Sequence, residues 1–319
     1  MIRILSFVTY LLSVVAIHSA SAAEMTAEKT DRGVTIKSDG KLFAEYLFRS
    51  GTKPILWPII GPTGQPFTRA YPLENVDGEQ RDHIHQRSCW FTHGIVNGVD
   101  FWSEPESTAN KEAKHGTIAQ RELVKAEGGS EAVVVTRNDW LDPEGKKLCE
   151  DQRTLTFHVE PDARWIDFDI VLKATAGPVV FGETKEGAFG VRVPTSVSVD
   201  GKQGGQIINS NGEANKPAWG KRAKWVDYHG PVAGEQVGIA ILNHPTSFRY
   251  PTYWHVREYG LFAANPFGER DFTQSGDGTH KLEAGKTLAL RYRLLLHKGD
   301  EKAGRVAEAY AAYEKLPKQ

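Results

Sequence analysis

Apolar and polar residues alternate along most of this chain. In the run RWIDFDIVLKA, Ile166, Phe168, Ile170 and Leu172 occupy every second position, and LALRYRLLLHKGD repeats the same spacing. Because neighbouring side chains of a β-strand point to opposite faces, this period predicts strands with one buried face. Clusters of Gly, Pro, Asn and Asp separate these runs and are typical of turns. The pattern therefore predicts a protein built mainly of strands.

One segment near the C-terminus, EKAGRVAEAYAAYEKL, has a helical period instead. Val306, Ala309, Tyr310, Tyr313 and Leu316 recur at spacings of three and four, which places them on one face of a helix. The predicted fold class is all-β: a large antiparallel β-sandwich, with this C-terminal helix packed on the outside of a sheet. We expect a single sandwich domain over residues 23–319, with two fused sandwiches as the alternative.

The first 22 residues have a different pattern. Arg3 precedes an apolar run from Ile4 to Ile17, and Ala20–Ala22 fits the small-residue rule for a cleavage site. This run is shorter than the roughly 20 residues that a membrane-spanning helix needs. Residues 1–22 are therefore predicted to be a signal peptide. We expect an exported protein, periplasmic or extracellular, without a membrane span after cleavage.

Charge and cysteine content narrow the range of partners. The formal net charge is −1 and the chain has no basic block, so nucleic acid is not an expected partner. The two cysteines, Cys89 and Cys149, are too few for a disulfide framework. An exported protein permits a bridge between them, and two buried free thiols are the alternative.

The densest group of polar and aromatic side chains is RDHIHQRSCWFTHGIVNGVDFW, residues 81–102. On a strand, His83 and His85 would point the same way, and His93 would join them after a turn. Three imidazoles can bind a divalent metal such as zinc, which is the one cofactor that these residues suggest. They can equally contact substrate, transfer protons or be buried for structural reasons. The candidate substrate contacts of this stretch are Arg87, Trp90, Asn97 and Trp102.

A second segment that departs from the alternation is GETKEGAFGVRVP, residues 182–194. A carboxylate in an apolar pocket can act as an acid or base, and a neighbouring lysine or arginine keeps it charged. Glu183 and Glu186 are therefore candidate bases, and Lys185 and Arg192 are candidate ligand contacts. A surface ion pair on a turn is the alternative.

The third such segment is NHPTSFRYPTYWHVREYGLFAANPFG, residues 243–268. Its three prolines predict a long aromatic loop of the kind that forms a pocket wall. The upstream motif WGKRAKWVDYHG adds further aromatic and polar groups. The candidate substrate contacts from these two motifs are Trp225, Asp227, Tyr228, His244, Arg249, Trp254, Tyr259 and Asn265.

Four motifs, DHIHQRSCWFTHGIVNGVDFW, KEGAFGVRV, KRAKWVDYHG and YPTYWHVREYGLFAANPFG, resemble in this order the PmoA-like family of exported bacterial proteins, commonly labelled methane oxygenase PmoA. The resemblance covers about residues 45–298. It implies a large β-sandwich similar to the galactose mutarotase-like supersandwich of carbohydrate-active domains. The family's first motif reads D-H-P-H-H-R, and Ile84 and Gln86 replace a proline and a histidine here, which weakens the metal interpretation.

Aromatic rings beside Asn, Asp, Arg and His suit a sugar or glycan ligand. The leading hypothesis is an exported carbohydrate-active enzyme, a hydrolase, lyase or epimerase, that uses His and Glu for acid–base chemistry. His83, His85 and His93 are the candidate acids, and Glu183 and Glu186 the candidate bases. A non-catalytic carbohydrate-binding protein and a metal-dependent enzyme built on the histidines are the alternatives.

Overall fold

The structure is a computed structural model that describes residues 23–107 and 112–317, so the predicted signal peptide lies outside the described residues. The alternating segments form strands. The strands are β1 (Met25–Lys29), β2 (Gly33–Ser38), β3 (Lys41–Ser50), β4 (Lys53–Ile59), β5 (Cys89–His93), β6 (Thr117–Glu127), β7 (Ala132–Leu141), β8 (Lys147–Val159), β9 (Ala163–Lys173), β10 (Val179–Phe181), β11 (Gly187–Arg192), β12 (Gln206–Asn209), β13 (Trp225–Val232), β14 (Glu235–Asn243), β15 (Tyr253–Val256), β16 (Leu261–Asn265), β17 (His280–Leu282) and β18 (Thr287–Lys298). The α-helices are α1 (Glu269–Thr273) and α2 (Val306–Tyr313), and Lys216–Ala218 forms one turn of 3-10 helix.

Two large sheets pack face to face. The first sheet has the strand order β1-β2-β3-β4-β5-β11-β16-β15, and the second has the order β12-β13-β14-β18-β9-β8-β7-β6. Strands β10 and β17 form a separate antiparallel pair. Neighbouring strands in both large sheets are antiparallel. The predicted fold class, an antiparallel β-sandwich with a C-terminal helix, is therefore confirmed.

The two-residue period decides which side chains form the core between the sheets. Ile166, Phe168, Ile170 and Leu172 of β9 are each at most 2% exposed and belong to one large apolar cluster. Residues from the first sheet meet them there, and the ring of Phe189 lies 4.9 Å from that of Phe168. The hydrophobic effect on these alternate positions therefore holds the two sheets together.

Helix α2 packs on the outer face of the second sheet, as predicted. Val306, Tyr310 and Tyr313 are buried against apolar residues of β13, β14 and β18. Arg305, with a left-handed φ of 52°, sets the start of the helix at Val306, and the helix ends at Tyr313, before the last residue of the apolar period. Leu316 lies beyond the helix end and is 39% exposed, so it does not contribute to the buried face.

The segment 243–268 is not one long loop, which corrects the prediction. Strands β15 and β16 form an antiparallel pair within it. Pro251 precedes β15 and Pro266 follows β16, so both prolines lie outside the hydrogen-bonded strands. The prolines therefore lie at the two ends of the hairpin and do not prevent its strands from pairing.

Both cysteines are buried in the fold. Cys89 on β5 and Cys149 on β8 are both buried free thiols, so the alternative without a disulfide holds. Burial raises the pKa of both thiols, which makes them poor nucleophiles.

Among the described residues, no helix has the length and apolar character needed to cross a membrane.

Candidate functional site

A cavity of about 360 Å³ opens on the face of the first sheet that points away from the second. Trp254 of β15 faces the core between the sheets, and the alternation therefore turns its neighbour His255 towards the cavity. The cavity is lined by His83, His85, Gln86, Asp100, Trp102, Ser103, Ser107, Lys185, Glu186, His255, Arg257 and Tyr259. Its volume is within the range of small-molecule sites.

Two buried arginines hold the histidine-bearing loop in place. The Asp82 carboxylate accepts hydrogen bonds from Arg69 (2.6 Å) and Arg192 (2.7 Å). Arg69 also donates to the carbonyl oxygens of His83 and Gln86, at 3.1 Å each. Burial alone would raise the pKa of Asp82, but the hydrogen bond from His83 and the two guanidinium charges hold it well below its usual range. Arg192 therefore supports the loop, and it is not among the residues that line the cavity.

His83 stands at the cavity rim with a fixed ring orientation. Its Nδ1 lies 2.7 Å from Asp82 Oδ2, and its side chain is 41% exposed. The ring stacks on Tyr259 with a centroid distance of 4.9 Å and an interplanar angle of 8°. The Arg192 guanidinium lies 4.7 Å from the same tyrosine centroid. Protein groups therefore cover the Tyr259 ring, and the imidazole face of His83 is the more accessible surface.

His85 is the buried imidazole of the cavity. Its Nδ1 lies 2.9 Å from Ser107 Oγ, so Nε2 is the ring nitrogen left for a ligand. Burial, aided by the charge of Lys53, lowers the pKa of His85 to about 3. The ring is therefore neutral at neutral pH, with one nitrogen that donates and one that accepts.

A buried ion-pair group lies beneath His85. Glu104 accepts from Lys53 at 3.0 Å and from Arg87 at 2.6 Å. The backbone N–H of Glu104 donates to Ser107 Oγ, which in turn contacts His85. Arg87 is thus held by Glu104, and the structure does not place this predicted substrate contact at the cavity. The group instead positions the residues that hold His85.

His255 and Glu186 form the opposite side of the cavity. His255 is 3% exposed, and its Nδ1 has no hydrogen-bond partner among the described residues. That nitrogen lies 3.9 Å from Glu186 Oε2, and Lys185 Nζ lies 3.2 Å from Glu186 Oε1. Burial, with the nearby charges of Arg257 and Lys185, lowers the pKa of His255 to about 3. A buried nitrogen without a partner is costly, and a ligand hydroxyl at this position would satisfy it.

The charged groups around the cavity differ in how they are bound. Asp100 accepts from the backbone N–H groups of Trp102 and Ser103 and from the Ser103 hydroxyl, so it is committed to its turn. Arg257 is exposed and forms no ion pair within the described part of the chain; its guanidinium lies 5.8 Å from the Tyr259 ring. The cavity therefore presents one free cation beside neutral imidazoles.

The structure brings together part of the predicted site. The predicted residues that line the cavity are His83, His85, Trp102, Lys185, Glu186 and Tyr259. His93 is not among them, because it faces the core with Phe91, two positions earlier on β5. Its Nε2 lies 2.8 Å from the Gly182 carbonyl oxygen, and its ring lies 4.7 Å from that of Phe267.

The three predicted metal-binding histidines are therefore separated by the sheet. In the described ranges, the group of three His, Cys, Asp or Glu side chains close enough to hold a metal is Asp227, His229 and Glu301. His83, His85 and His93 do not form such a group. The metal alternative for this stretch is corrected for a geometric reason, since His93 belongs to the other face of β5.

Three other predicted residues, Trp90 of β5 and the loop residues Asn97 and Glu183, are held by contacts within the protein. Trp90 is 1% exposed and packs against Trp102 at 5.3 Å. Asn97 has a left-handed φ of 50°, and its Oδ1 accepts from the Val180 N–H at 2.7 Å. The Glu183 carboxylate accepts from the Asp271 N–H at 3.3 Å and from the Gly278 N–H. None of the three lines the cavity, so their predicted contact with a ligand has no support here.

The motif WVDYHG lies in the second sheet, away from the cavity. Trp225 packs under helix α2, and Asp227 is buried on the same outer face. Tyr228 faces the core, and its hydroxyl donates to the Glu258 carbonyl oxygen at 2.8 Å. The predicted role of these three residues in the same sugar site is therefore not supported by their placement.

The remaining predicted contacts stabilise the fold. His244 Nδ1 lies 2.8 Å from Thr246 Oγ1 on the second sheet. Arg249 donates to the carbonyl oxygens of Pro266, Gly278 and Thr279, and Trp254 Nε1 donates to that of Ala223. Asn265 Nδ2 donates to the Thr184 carbonyl oxygen, and its Oδ1 accepts from the Phe267 N–H. The polar groups of Arg249, Trp254 and Asn265 are occupied by backbone partners, and none of the four residues lines the cavity.

The cavity residues that the sequence analysis did not select as site residues are Gln86, Asp100, Ser103, Ser107, His255 and Arg257. His255 had a readable signal: in TYWHV it alternates with Trp254, so burying the tryptophan turns the histidine to the opposite face. Ser107 had none, because its role depends on a contact with His85, 22 positions away.

The family model that matches residues 33–311 carries the description "Family of unknown function (DUF6807)". The chain belongs to this family. The DUF6807 description does not contain the PmoA-like name, so the resemblance drawn from the four motifs stays a prediction. No curated protein matches this DUF6807 member.

Several solved structures are similar to this DUF6807 chain. A galactose mutarotase-like protein from Lactobacillus casei ATCC 334 is 9% identical, with a TM-score of 0.42, and the match covers 86% of this chain and 100% of that one. A galactose mutarotase related enzyme from Lactobacillus acidophilus is 9% identical (87% and 98% covered, TM-score 0.33). The α-galactosidase from Lactobacillus brevis is 10% identical (90% and 41% covered, TM-score 0.41). All three TM-scores are below 0.5. The fold class of this chain is shown by its own two packed antiparallel sheets.

Proposed function

We propose that the cavity on the first sheet binds a sugar and transfers protons on it. The observation that carries this proposal is the convergence of two neutral buried imidazoles, His85 and His255, with the Glu186 carboxylate around one cavity. A neutral imidazole offers one donor and one acceptor, which matches the paired demands of sugar hydroxyls. The unpartnered Nδ1 of His255 supports the proposal, because a ligand hydroxyl would satisfy it.

The available groups favour proton transfer by an epimerase-type or lyase-type reaction over hydrolysis by two carboxylates. Hydrolysis of a glycoside usually needs an acid and a second carboxylate on opposite sides of the scissile bond. Asp100 and Glu186 are the two carboxylates that line the cavity, and Asp100 is held by three donors of its own turn. Glu186 as base and an imidazole N–H as acid form the better pair.

The charges around the cavity favour a sugar that carries an anionic group. Arg257 forms no ion pair in the part of the chain that the structure describes, and Lys185 reaches the cavity through its contact with Glu186. A guanidinium can hold a carboxylate with two parallel hydrogen bonds. Arg257 thus takes the place of Arg192 and Arg249, the arginines that the sequence analysis selected as ligand contacts.

The test is binding and turnover on a panel of neutral and acidic monosaccharides and oligosaccharides. Calorimetry measures binding, and NMR detects a changed anomer, epimer or unsaturated product. His255→Asn and Glu186→Gln are the test variants, and His158→Asn on the second sheet is the matched control. We expect wild type and control to be alike, and turnover to fall about 100-fold or more in each test variant.

Two outcomes of this experiment would change the conclusion. If a sugar binds and His255→Asn weakens it, but no product forms, the protein is a non-catalytic carbohydrate-binding protein. If no sugar binds, or if His255→Asn binds and turns over the sugar as wild type does, the cavity is not the sugar site. Export to the periplasm or cell exterior is part of the same proposal, and fractionation of cells that express the full chain tests it.

A further inference from the structure

A second polar cluster is buried on the outer face of the second sheet, under the turn that leads into α2. Asp227 and His229 alternate on β13 and share that face with His297 of β18. Asp227 is fully buried; its Oδ1 lies 2.6 Å from His229 Nδ1, and its Oδ2 lies 2.7 Å from His297 Nε2. Glu301 Oε2, from the turn, lies 3.9 Å from His229 Nδ1. The cluster belongs to a different sheet from the cavity.

The surrounding backbone leaves room for these rings. Gly238 pairs with both His229 and His297 across the three neighbouring strands. A Cβ on Gly238 would lie 2.2 Å from the His297 ring, and one on Gly304 would lie 2.0 Å from it. Because both positions lack a side chain, His297 can lie flat over β14 and reach Asp227. Gly238 in the sheet and Gly304 in the turn therefore provide the space that the His297 ring occupies.

We propose that Asp227, His229 and Glu301 form a binding site for a divalent transition metal ion of the zinc class. One ligand atom from each residue lies within 4.8 Å of the other two. Around zinc, with bonds of about 2.0–2.2 Å, neighbouring ligand atoms of a tetrahedral site lie about 3.3–3.6 Å apart. In the structure, His229 Nδ1 lies 2.6 Å from Asp227 Oδ1, which is below that range, and 3.9 Å from Glu301 Oε2, which is above it. Small side-chain rotations would create the site.

The residues around the three ligands have the chemistry of a metal site. His297 donates its Nε2 proton to the second oxygen of Asp227, which is how outer partners orient a ligating carboxylate. Two carboxylates and one imidazole carry a charge of −2 that a divalent ion would balance, and this set suits zinc. The proton between His229 and Asp227 leaves to solvent when the metal binds. Three protein ligands leave a fourth position for water.

An ion can reach the cluster from outside. The Glu301 side chain is 19% exposed and lines a separate surface cavity of about 500 Å³ with Trp225 and Asn209. Because Glu301 belongs to the turn before α2, a bound ion would join this turn to the sheet. Metal binding is therefore expected to stabilise the folded protein, with an effect that grows with ion concentration.

The experiment measures zinc binding by chelator-treated protein. Glu301→Gln is the test variant, because Glu301 is partly exposed and its change is least disruptive to folding. Glu308→Gln is the matched control: it lines the same surface cavity but lies outside the cluster. Calorimetry with zinc chloride and the thermal midpoint with and without zinc are recorded for each protein, and circular dichroism checks the fold.

We expect wild type and Glu308→Gln to bind one zinc ion per chain and to melt at a higher temperature with zinc. Glu301→Gln is expected to bind at least tenfold more weakly and to lose most of the rise in melting temperature. The proposal is overturned if wild type shows no saturable binding, if Glu301→Gln binds as wild type does, or if Glu308→Gln loses as much affinity as Glu301→Gln. These readouts involve no sugar, so they are independent of the proposed function.

Discussion

Replacing Glu104 by Gln should destabilise the protein strongly, because the change leaves two cations without their carboxylate. Lys53 is 0% exposed and Glu104 is 2% exposed, and their charged atoms lie 3.0 Å apart. Removing one partner of a buried ion pair costs about 3–5 kcal/mol. Arg87 is 13% exposed and can recover part of its hydration, so a loss of about 3 kcal/mol in the free energy of unfolding is expected for Glu104→Gln.

Urea unfolding followed by tryptophan fluorescence measures this loss by linear extrapolation. Glu28→Gln is the control: Glu28 and Lys37 form a pair at 2.9 Å, but their side chains are 54% and 35% exposed. Exposed pairs contribute about 0–1 kcal/mol. A loss for Glu104→Gln below about 1 kcal/mol, no larger than that of the control, would refute the reasoning.

A second variant tests whether the buried charge of Lys53 is the cause. Lys53→Met, made in the Glu104→Gln background, removes the cation that lost its partner. It should therefore restore part of the lost stability, whereas it should destabilise the wild type. Burial lowers the pKa of Lys53, so the unfolded chain holds its proton at a higher pH than the folded one. The deficit of Glu104→Gln should accordingly shrink as the pH rises towards 10. A deficit that stays constant with pH would contradict this cause.

Three further outcomes are expected. Gly190→Ala should lower stability by about 1–3 kcal/mol in thermal melting, because its Cβ would lie 2.8 Å from the Trp90 ring. Cys89 and Cys149 should resist a thiol reagent in the native protein and both react in urea; native labelling would contradict their burial. Burial lowers the pKa of His93 from 6.5 to about 4, so the unfolded state binds more protons between these values. The contribution of His93 to the free energy of unfolding should be complete above pH 6.5 and fall by about 3 kcal/mol towards pH 4. This part of the pH dependence should be missing in His93→Gln.

The strands could be predicted from sequence because the alternation of buried and exposed side chains depends only on neighbouring positions in the chain. Leu288, Leu290, Tyr292, Leu294 and Leu296 were expected on one face of a strand, and all five are at most 5% exposed on β18. The same local rule applied to β5 would have turned His93 towards the core with Phe91. The grouping of the three histidines was therefore wrong. It used their closeness in the sequence and not the face of the strand on which each side chain lies.

The composition of the cavity could be predicted only in part, because strand order is not local. Asp227 and Glu186 both lie within motifs that depart from the alternation, yet one is on β13 in the second sheet and the other comes directly before β11 in the first. Which strand pairs with which depends on the whole chain. Hydrogen bonds also compete for side chains: Arg192 and Arg249 are bound by protein groups, which left Arg257 as the free cation among the described cavity residues.

The hydrogen bond between Gln86 and Tyr259 joins residues 173 positions apart, on two sides of the cavity. During synthesis, the histidine loop leaves the ribosome long before the strands that complete the cavity wall. Until β11 has been made, the edge of β5 lacks its neighbour and can pair with another chain. Structures with such distant pairings fold slowly. Ligand binding in this cavity would thus require the chain to be made at least through Tyr259, since a fragment that ends before β15 lacks His255, Arg257 and Tyr259.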